Sequence, residues 1–169
     1  MFKMANGRMI GRGNPTYIIA EAGINHCGLI SDAKALCFAA AKAGCDAVKF
    51  QKRTVEVVYS QEELLRPRKS LYGDTNGDLK RGLELSKNKY IEIRDLCGEL
   101  KLDFLASCWD PDSVDFIEWF DPVCYKIASA SITDLDLLKY TAGHGRPIIL
   151  STGMSTLEEI DRAVDAVAA

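Results

Sequence analysis

Histidine is nearly missing from this chain, and the two it has, His26 and His144, stand alone. Neither has a second histidine at metal-ligand spacing, so no metal site is visible in the sequence. An excess of positive charge is missing too. Lys and Arg total 21 against 24 Asp and Glu, a net charge of −3, which argues against a nucleic-acid surface and its basic stripe. A local anion site stays open, because it needs only a few converging cations. No apolar run approaches the roughly 20 residues of a membrane-spanning helix. The opening Met1 to Gly13 carries Lys3, Arg8 and Arg12 without an apolar core, so it does not read as a secretory signal. Paired cysteines are absent as well: the six, at positions 27, 37, 45, 97, 108 and 124, include no CxxC. They read as reduced thiols in or near the core of a cytoplasmic protein, not as a disulfide or zinc framework. No Gly-x-Gly-x-x-Gly follows an apolar run, which weakens a dinucleotide-binding reading. No short repeat suggests a solenoid.

What is present is organised around Tyr17-Ile18-Ile19-Ala20-Glu21-Ala22-Gly23-Ile24-Asn25-His26-Cys27-Gly28. An apolar run breaks into an acid, a Gly-bounded loop and a helix start at Ser31-Asp32. A buried parallel strand delivers one polar side chain to the mouth of an α/β fold in this way. The construction recurs four more times. Strands are expected over Tyr17–Ala22, Ala47–Gln51, Phe104–Ser107, Cys124–Ala128 and Ile148–Ser151. Helices are expected from Ser31, as N-cap, to Ala43; from Ser86 to Lys101; from Asp110-Pro111, carrying Val114, Ile117 and Trp119; from near Thr133-Asp134; and from a capping box at Ser155-Thr156-Leu157-Glu158 to the end. The polar stretch Lys52–Leu85 has no strong period and reads as an excursion that could cover a substrate. No β-hairpin signal joins any two strands. Alternating βα units mean a parallel sheet, either doubly wound or the start of a TIM barrel.

Alternation sorts the polar residues by face. Glu21 shares a face with Ile19, and Lys49 shares one with Gln51, while Val48 and Phe50 take the helix side. Ser107, Lys126 with Ser129 just beyond it, and Ser151 complete a set in which every strand brings a polar group to its carboxyl end. Active sites of parallel α/β folds lie there. Two lysines among serines, Gly153 and the start of the last helix suggest a phosphate or carboxylate ligand, with Glu21 as general base or water-positioning group. The plainer alternative is that Lys49 and Lys126 reach the surface and the serines cap helices. His26 is either a site residue or a loop-ordering hydrogen-bond partner.

Four segments together resemble the N-acetylneuraminate (sialic acid) synthase family, which includes legionaminate and spore-coat polysaccharide synthases. They are Glu21-Ala22-Gly23-Ile24-Asn25-His26, Val48-Lys49-Phe50-Gln51, Tyr125-Lys126-Ile127-Ala128-Ser129 and Ile148-Ile149-Leu150-Ser151-Thr152-Gly153-Met154. The resemblance implies a TIM-barrel, carbon–carbon bond-forming transferase. It would condense phosphoenolpyruvate with an N-acylated hexosamine to give a nine-carbon 2-keto sugar acid and phosphate. It implies a divalent metal, manganese or magnesium, and a homodimer for the full-length protein. It assigns Lys49, Ser107, Lys126, Ser129 and Ser151 to the phosphate and carboxylate of phosphoenolpyruvate, Gln51 and Asn25 to the same substrate pocket, and Glu21 to the water or its proton.

Three departures accompany it. Cys27 stands where the family often has Asn. Ser131 stands where sialic acid synthases carry an acid facing the amino sugar, which puts N-acetylmannosamine in doubt as the acceptor. The family's barrel has eight units, its metal-binding histidines lie on later strands, and an antifreeze-like domain follows. On that comparison residues 1–16 are a lead-in and residues 17–169 the first five strands of an incomplete barrel, inactive in condensation alone. Two other readings stand beside this one: a Schiff-base keto-acid aldolase using Lys49 or Lys126, and a non-catalytic half-barrel that associates through its open edges.

Overall fold

The structure, a computed structural model, describes residues 2–5 and 7–168. Five parallel strands form one sheet whose spatial order follows the chain: β1 (Ile19–Gly23), β2 (Ala47–Lys52), β3 (Asp103–Cys108), β4 (Tyr125–Ile127) and β5 (Ile148–Leu150). Each strand lies beside its predecessor, so the sheet has no point at which its winding reverses. A doubly wound sheet needs such a point; sequential order is the winding of a (βα) barrel. Five helices connect or follow the strands: α1 (Ile30–Lys42), α2 (Lys87–Glu99), α3 (Pro111–Glu118), α4 (Leu135–Ala142) and α5 (Leu157–Ala168).

Each face of the sheet has its own core. Val48, Phe50, Ala106, Cys108 and Tyr125 pack outward against Ala33, Cys37 and Ala40 of α1 and Tyr90, Ile93 and Cys97 of α2. Ile127, with Leu150 beside it, packs on Leu138 of α4 and Ala163 of α5. The opposite face carries Ala47, Leu105 and Cys124, with Ile19 and Ile149 alongside. Met4 and Ile10 cover this inner layer, so it closes the amino-terminal side of the sheet with apolar side chains. Two residues further along each strand, on that same inner face, come Glu21, Lys49, Ser107, Lys126 and Ser151. Period-two alternation thus places an oily floor beneath a polar rim.

Several expected details differ. The lead-in contains an antiparallel hairpin, Phe2–Lys3 with Met9–Ile10, which Arg8 anchors to Asp46 at 2.5 Å. Ser31 does not cap α1: the N-cap is Leu29, two residues earlier, and Ser31 Oγ donates to Asp32 instead. The last capping box is Thr156 with Glu159, one residue beyond the expected pair. Trp119 caps α3 and is 54% exposed rather than on its buried face.

Residues 53–86 are structured throughout most of their length. Short helices at Val55–Val58 and Gln61–Leu65 lead to a hairpin, Pro67–Ser70 with Gly73–Thr75, and then to a helix over Asn76–Leu83. Asn76-Gly77, which looks like a turn, opens that helix because Thr75 and Asp78 form a reciprocal capping box. The excursion docks on the turn after β1, where the Tyr72 hydroxyl donates to the Cys27 carbonyl. A Cβ at Gly28 would stand 2.0 Å from the Gly82 carbonyl oxygen, so no other residue fits this approach without moving the backbone.

Candidate active site

The register brings the rim residues side by side. Glu21 pairs with Lys49, Gln51 with Ser107, Ser107 with Lys126, and Lys126 with Ile149. Lys49 is the centre of the group. Its Nζ lies 2.5 Å from Glu21 Oε2 and donates to Ser107 Oγ at 2.9 Å. Burying an ammonium is costly unless it is paired and hydrogen-bonded, and these two neighbours meet that need. The pair is lopsided: 8% of the Lys49 side chain is exposed, against 53% of Glu21. The cation is fixed in the wall while the carboxylate faces open space.

Lys126 completes the charge pattern from the next strand but one. Its Nζ donates to the Ile127 carbonyl at 2.5 Å. Burial, reinforced by the nearby Lys49 ammonium and opposed by Glu21, pushes its pKa down to about 8. Two cations against one carboxylate leave the rim with an excess of positive charge, the electrostatic condition that favours an anion.

The other expected site residues fall around this centre. Gln51 is half-buried, and its amide nitrogen and the Glu21 carboxylate both abut Gly23: a Cβ there would stand 3.4 Å from Gln51 Nε2 and 3.1 Å from Glu21 Oε1. Gly23 has φ +54°, so its position is doubly restrictive. Ser151 lies just past β5, its N–H donating to the Ile127 carbonyl at 3.1 Å. Ser129 opens a short 3₁₀ turn, and its Oγ lies 3.5 Å from where a Cβ on Gly153 would be. Direct contact joins Glu21, Lys49 and Ser107; Lys126 joins them through register and charge. Asn25 is set apart, exposed in the turn after β1, with its N–H donating to the Ala22 carbonyl.

His26 resolves toward loop ordering. It is buried, and its Nδ1 accepts the Gly28 N–H at 3.0 Å. Burial holds its pKa below the ordinary 6.5.

Sequence reasoning missed a buried ionic group behind the rim. Arg53 donates to Glu84 Oε1 at 2.8 Å, to the Tyr59 hydroxyl at 2.8 Å and to Gln51 Oε1 at 3.3 Å, and its guanidinium lies over the Trp109 ring at 5.4 Å. Lys52 shares the Glu84 carboxylate at 2.9 Å. Arg53 and Glu84 are 31 residues apart, and no periodicity links them; a run of three polar residues, Gln51-Lys52-Arg53, at a strand end was the one available signal.

A divalent metal finds no donor set here: among the described residues, no group of three or more His, Cys, Asp or Glu side chains could hold one. Nor is any described helix long and apolar enough to cross a membrane.

Sequential βα winding with Lys49 and Lys126 at the strand ends defines an α/β protein of barrel type with a cationic edge. Comparison with known proteins narrows this further. The NeuB family model matches residues 36–169, and the chain belongs to that family. It is 38% identical over 153 residues to a Drosophila melanogaster N-acetylneuraminate-9-phosphate synthase, covering 89% of this chain and 41% of the relative. Among solved structures, the Bacillus subtilis spore coat polysaccharide biosynthesis protein SpsE matches with TM-score 0.77 and 34% identity, over 99% of this chain and 44% of that one. An N-acetylneuraminic acid synthetase from Leptospira borgpetersenii matches with TM-score 0.81 and 25% identity, over 99% and 57% respectively. The chain spans under half the length of the curated relatives it matches.

Proposed function

We propose that this chain carries the phosphoenolpyruvate-binding half of a synthase site that condenses phosphoenolpyruvate with an N-acylated amino sugar. The products are a nine-carbon 2-keto sugar acid and phosphate. Membership of the NeuB family and relatives named as N-acetylneuraminate-9-phosphate synthase and N,N'-diacetyllegionaminic acid synthase support the reaction class. The observation that carries the site assignment is Lys49, buried and held between Glu21 and Ser107, with the half-buried Lys126 in register with Ser107.

In this reading Lys49 and Lys126 neutralise the carboxylate and phosphate, and the hydroxyls of Ser107, Ser129 and Ser151 donate to their oxygens. The enol carbon forms a bond to the carbonyl carbon of the sugar, whose oxygen takes a proton to become a hydroxyl. Water adds to the cationic carbon left behind and loses one proton, and the carbon–oxygen bond to phosphate then breaks as the added hydroxyl gives up its second proton to become the keto group. Glu21, open on one side, orients that water or takes its proton. The reading includes completion of the eight-stranded barrel by further βα units that pair with β1 and β5, the sheet's two edges, and a metal and acceptor site on those units.

Titration of the chain with phosphoenolpyruvate, followed by backbone amide shifts, tests the site. Perturbations are expected at Glu21–Ile24, Lys49–Gln51, Ser107, Lys126–Ser129 and Ser151–Gly153. Shifts confined to other surfaces contradict the assignment.

One observation favours a second reading, a Schiff-base aldolase. A pKa of about 8 leaves part of Lys126 as the free amine at neutral pH, whereas Lys49 is tied to Glu21. The amine would attack a keto-acid carbonyl, water would leave, and borohydride would reduce the resulting imine to a stable adduct. A Lys126 adduct with pyruvate supports this reading; an unmodified mass excludes it.

A further inference from the structure

The Gln51 amide can be oriented from chemistry alone. Arginine has donors and no acceptor, so the atom of Gln51 that faces Arg53 Nη2 at 3.3 Å is the carbonyl oxygen. The NH2 end is therefore turned the other way, toward Gly23 and the Glu21 carboxylate. Arg53 is itself immobilised: it is 3% exposed, bound to Glu84 and Tyr59, and stacked on Trp109. The Gln51 backbone is pinned separately, its carbonyl accepting from the Tyr90 hydroxyl at 2.7 Å. Each element that fixes Arg53 lies off the rim, and two of them, Tyr59 and Glu84, come from the excursion between β2 and α2.

We propose that Arg53 is a positioning residue that locks Gln51 so that its NH2, not its carbonyl, faces the rim, and so selects a substrate oxygen that accepts hydrogen bonds. This rests on the function proposed above for its ligand, but the orientation itself is a property of the free protein. Through Glu84 and Tyr59 it also makes the excursion part of the site, although neither residue reaches the rim.

Nitrogen-15 relaxation of the glutamine side chains in the full chain tests the inference without ligand. The other glutamine, Gln61, is exposed and serves as internal reference. Gln51 Nε2 is expected near the rigid limit, with an order parameter of about 0.85, and Gln61 below about 0.6. In Arg53→Met, Gln51 is expected to fall into the Gln61 range while backbone amides keep their shifts. Gln51 still ordered in a folded Arg53→Met overturns the proposal. Should that variant not fold, a Gln51 side chain as mobile as Gln61 in the unmodified protein overturns it equally.

With phosphoenolpyruvate as probe, Arg53→Met and Gln51→Ala are each expected to weaken binding about tenfold, and the double variant no further. Additive losses contradict the proposal. If the unmodified chain binds no phosphoenolpyruvate, the functional reading fails, and the relaxation result alone decides the role of Arg53.

Discussion

Lys49 and Glu21 form an ion pair of 2.5 Å in which the cation is built into the sheet and the anion is open to the surroundings. A ligand anion therefore competes with Glu21 for a cation that is already in place. Glu21→Gln is expected to raise the affinity for inorganic phosphate, because it releases Lys49, while lowering stability by about 1–3 kcal/mol through a buried ammonium left less well paired. Lys49→Met is expected to abolish phosphate binding. Isothermal titration and urea unfolding read the two effects separately. Weaker phosphate binding by Glu21→Gln counts against the competition.

Lys126 gives the site a pH dependence with a definite sign. Its pKa of about 8 in the free protein means that the ammonium that binds an anion is lost as pH rises through 8. Anion affinity should hold below pH 7.5 and fall by up to about tenfold per unit above 8.5. Binding should also draw a proton from solvent near pH 8, because the bound anion raises the Lys126 pKa. Calorimetry in buffers of different ionisation enthalpy measures that uptake, and Lys126→Arg should remove it.

Glu84 neutralises two cations behind the rim, the buried Arg53 and the half-buried Lys52. Glu84→Ala strands both, and the expected loss is about 3–5 kcal/mol. Glu56→Ala, which breaks an exposed pair with Arg81, is expected to cost no more than about 1 kcal/mol. Urea midpoints of the two variants give the comparison; equal shifts would show that the Glu84 group is not a buried network.

His26 ties stability to acid. Its folded pKa lies below the ordinary 6.5, chiefly through burial, with Lys89 and Arg53 adding and Glu84 opposing. The unfolded chain therefore takes up the proton first, so the contribution is present above pH 6.5 and is lost as pH falls through that value toward the lower folded one. Protonation also displaces the Gly28 N–H from Nδ1. His26→Asn should flatten the fall in urea midpoint between pH 7 and pH 5.5. An unchanged slope would place the acid sensitivity elsewhere.

Rim and floor were legible because strand alternation is a strong, short-range signal. Ile19 and Glu21, Ala47 and Lys49, or Leu105 and Ser107 each differ by two residues and share a face, one step apolar and the next polar. The residues behind the rim were not legible, since Arg53 meets Glu84 and Tyr59 only through tertiary packing of the excursion. Local signals there also competed. Asn76-Gly77 has turn chemistry, but the Thr75–Asp78 box won. Ser31 has capping chemistry, but the turn ordered by His26 brings the chain into α1 two residues sooner. The stretch Pro67–Ser70 carries two cations and little apolar pattern, so its strand is set by pairing with Gly73–Thr75 rather than by burial.

The most direct test of the account is a phosphoenolpyruvate titration of the 169-residue chain at pH 7, repeated on Lys49→Met and Lys126→Met. Saturable binding, with amide shifts at the carboxyl ends of β1 to β5 and at least a tenfold loss in each variant, is the expected result. Binding that both variants leave unchanged, or no binding by the unmodified chain, would contradict the claim that these strand ends form one anion site.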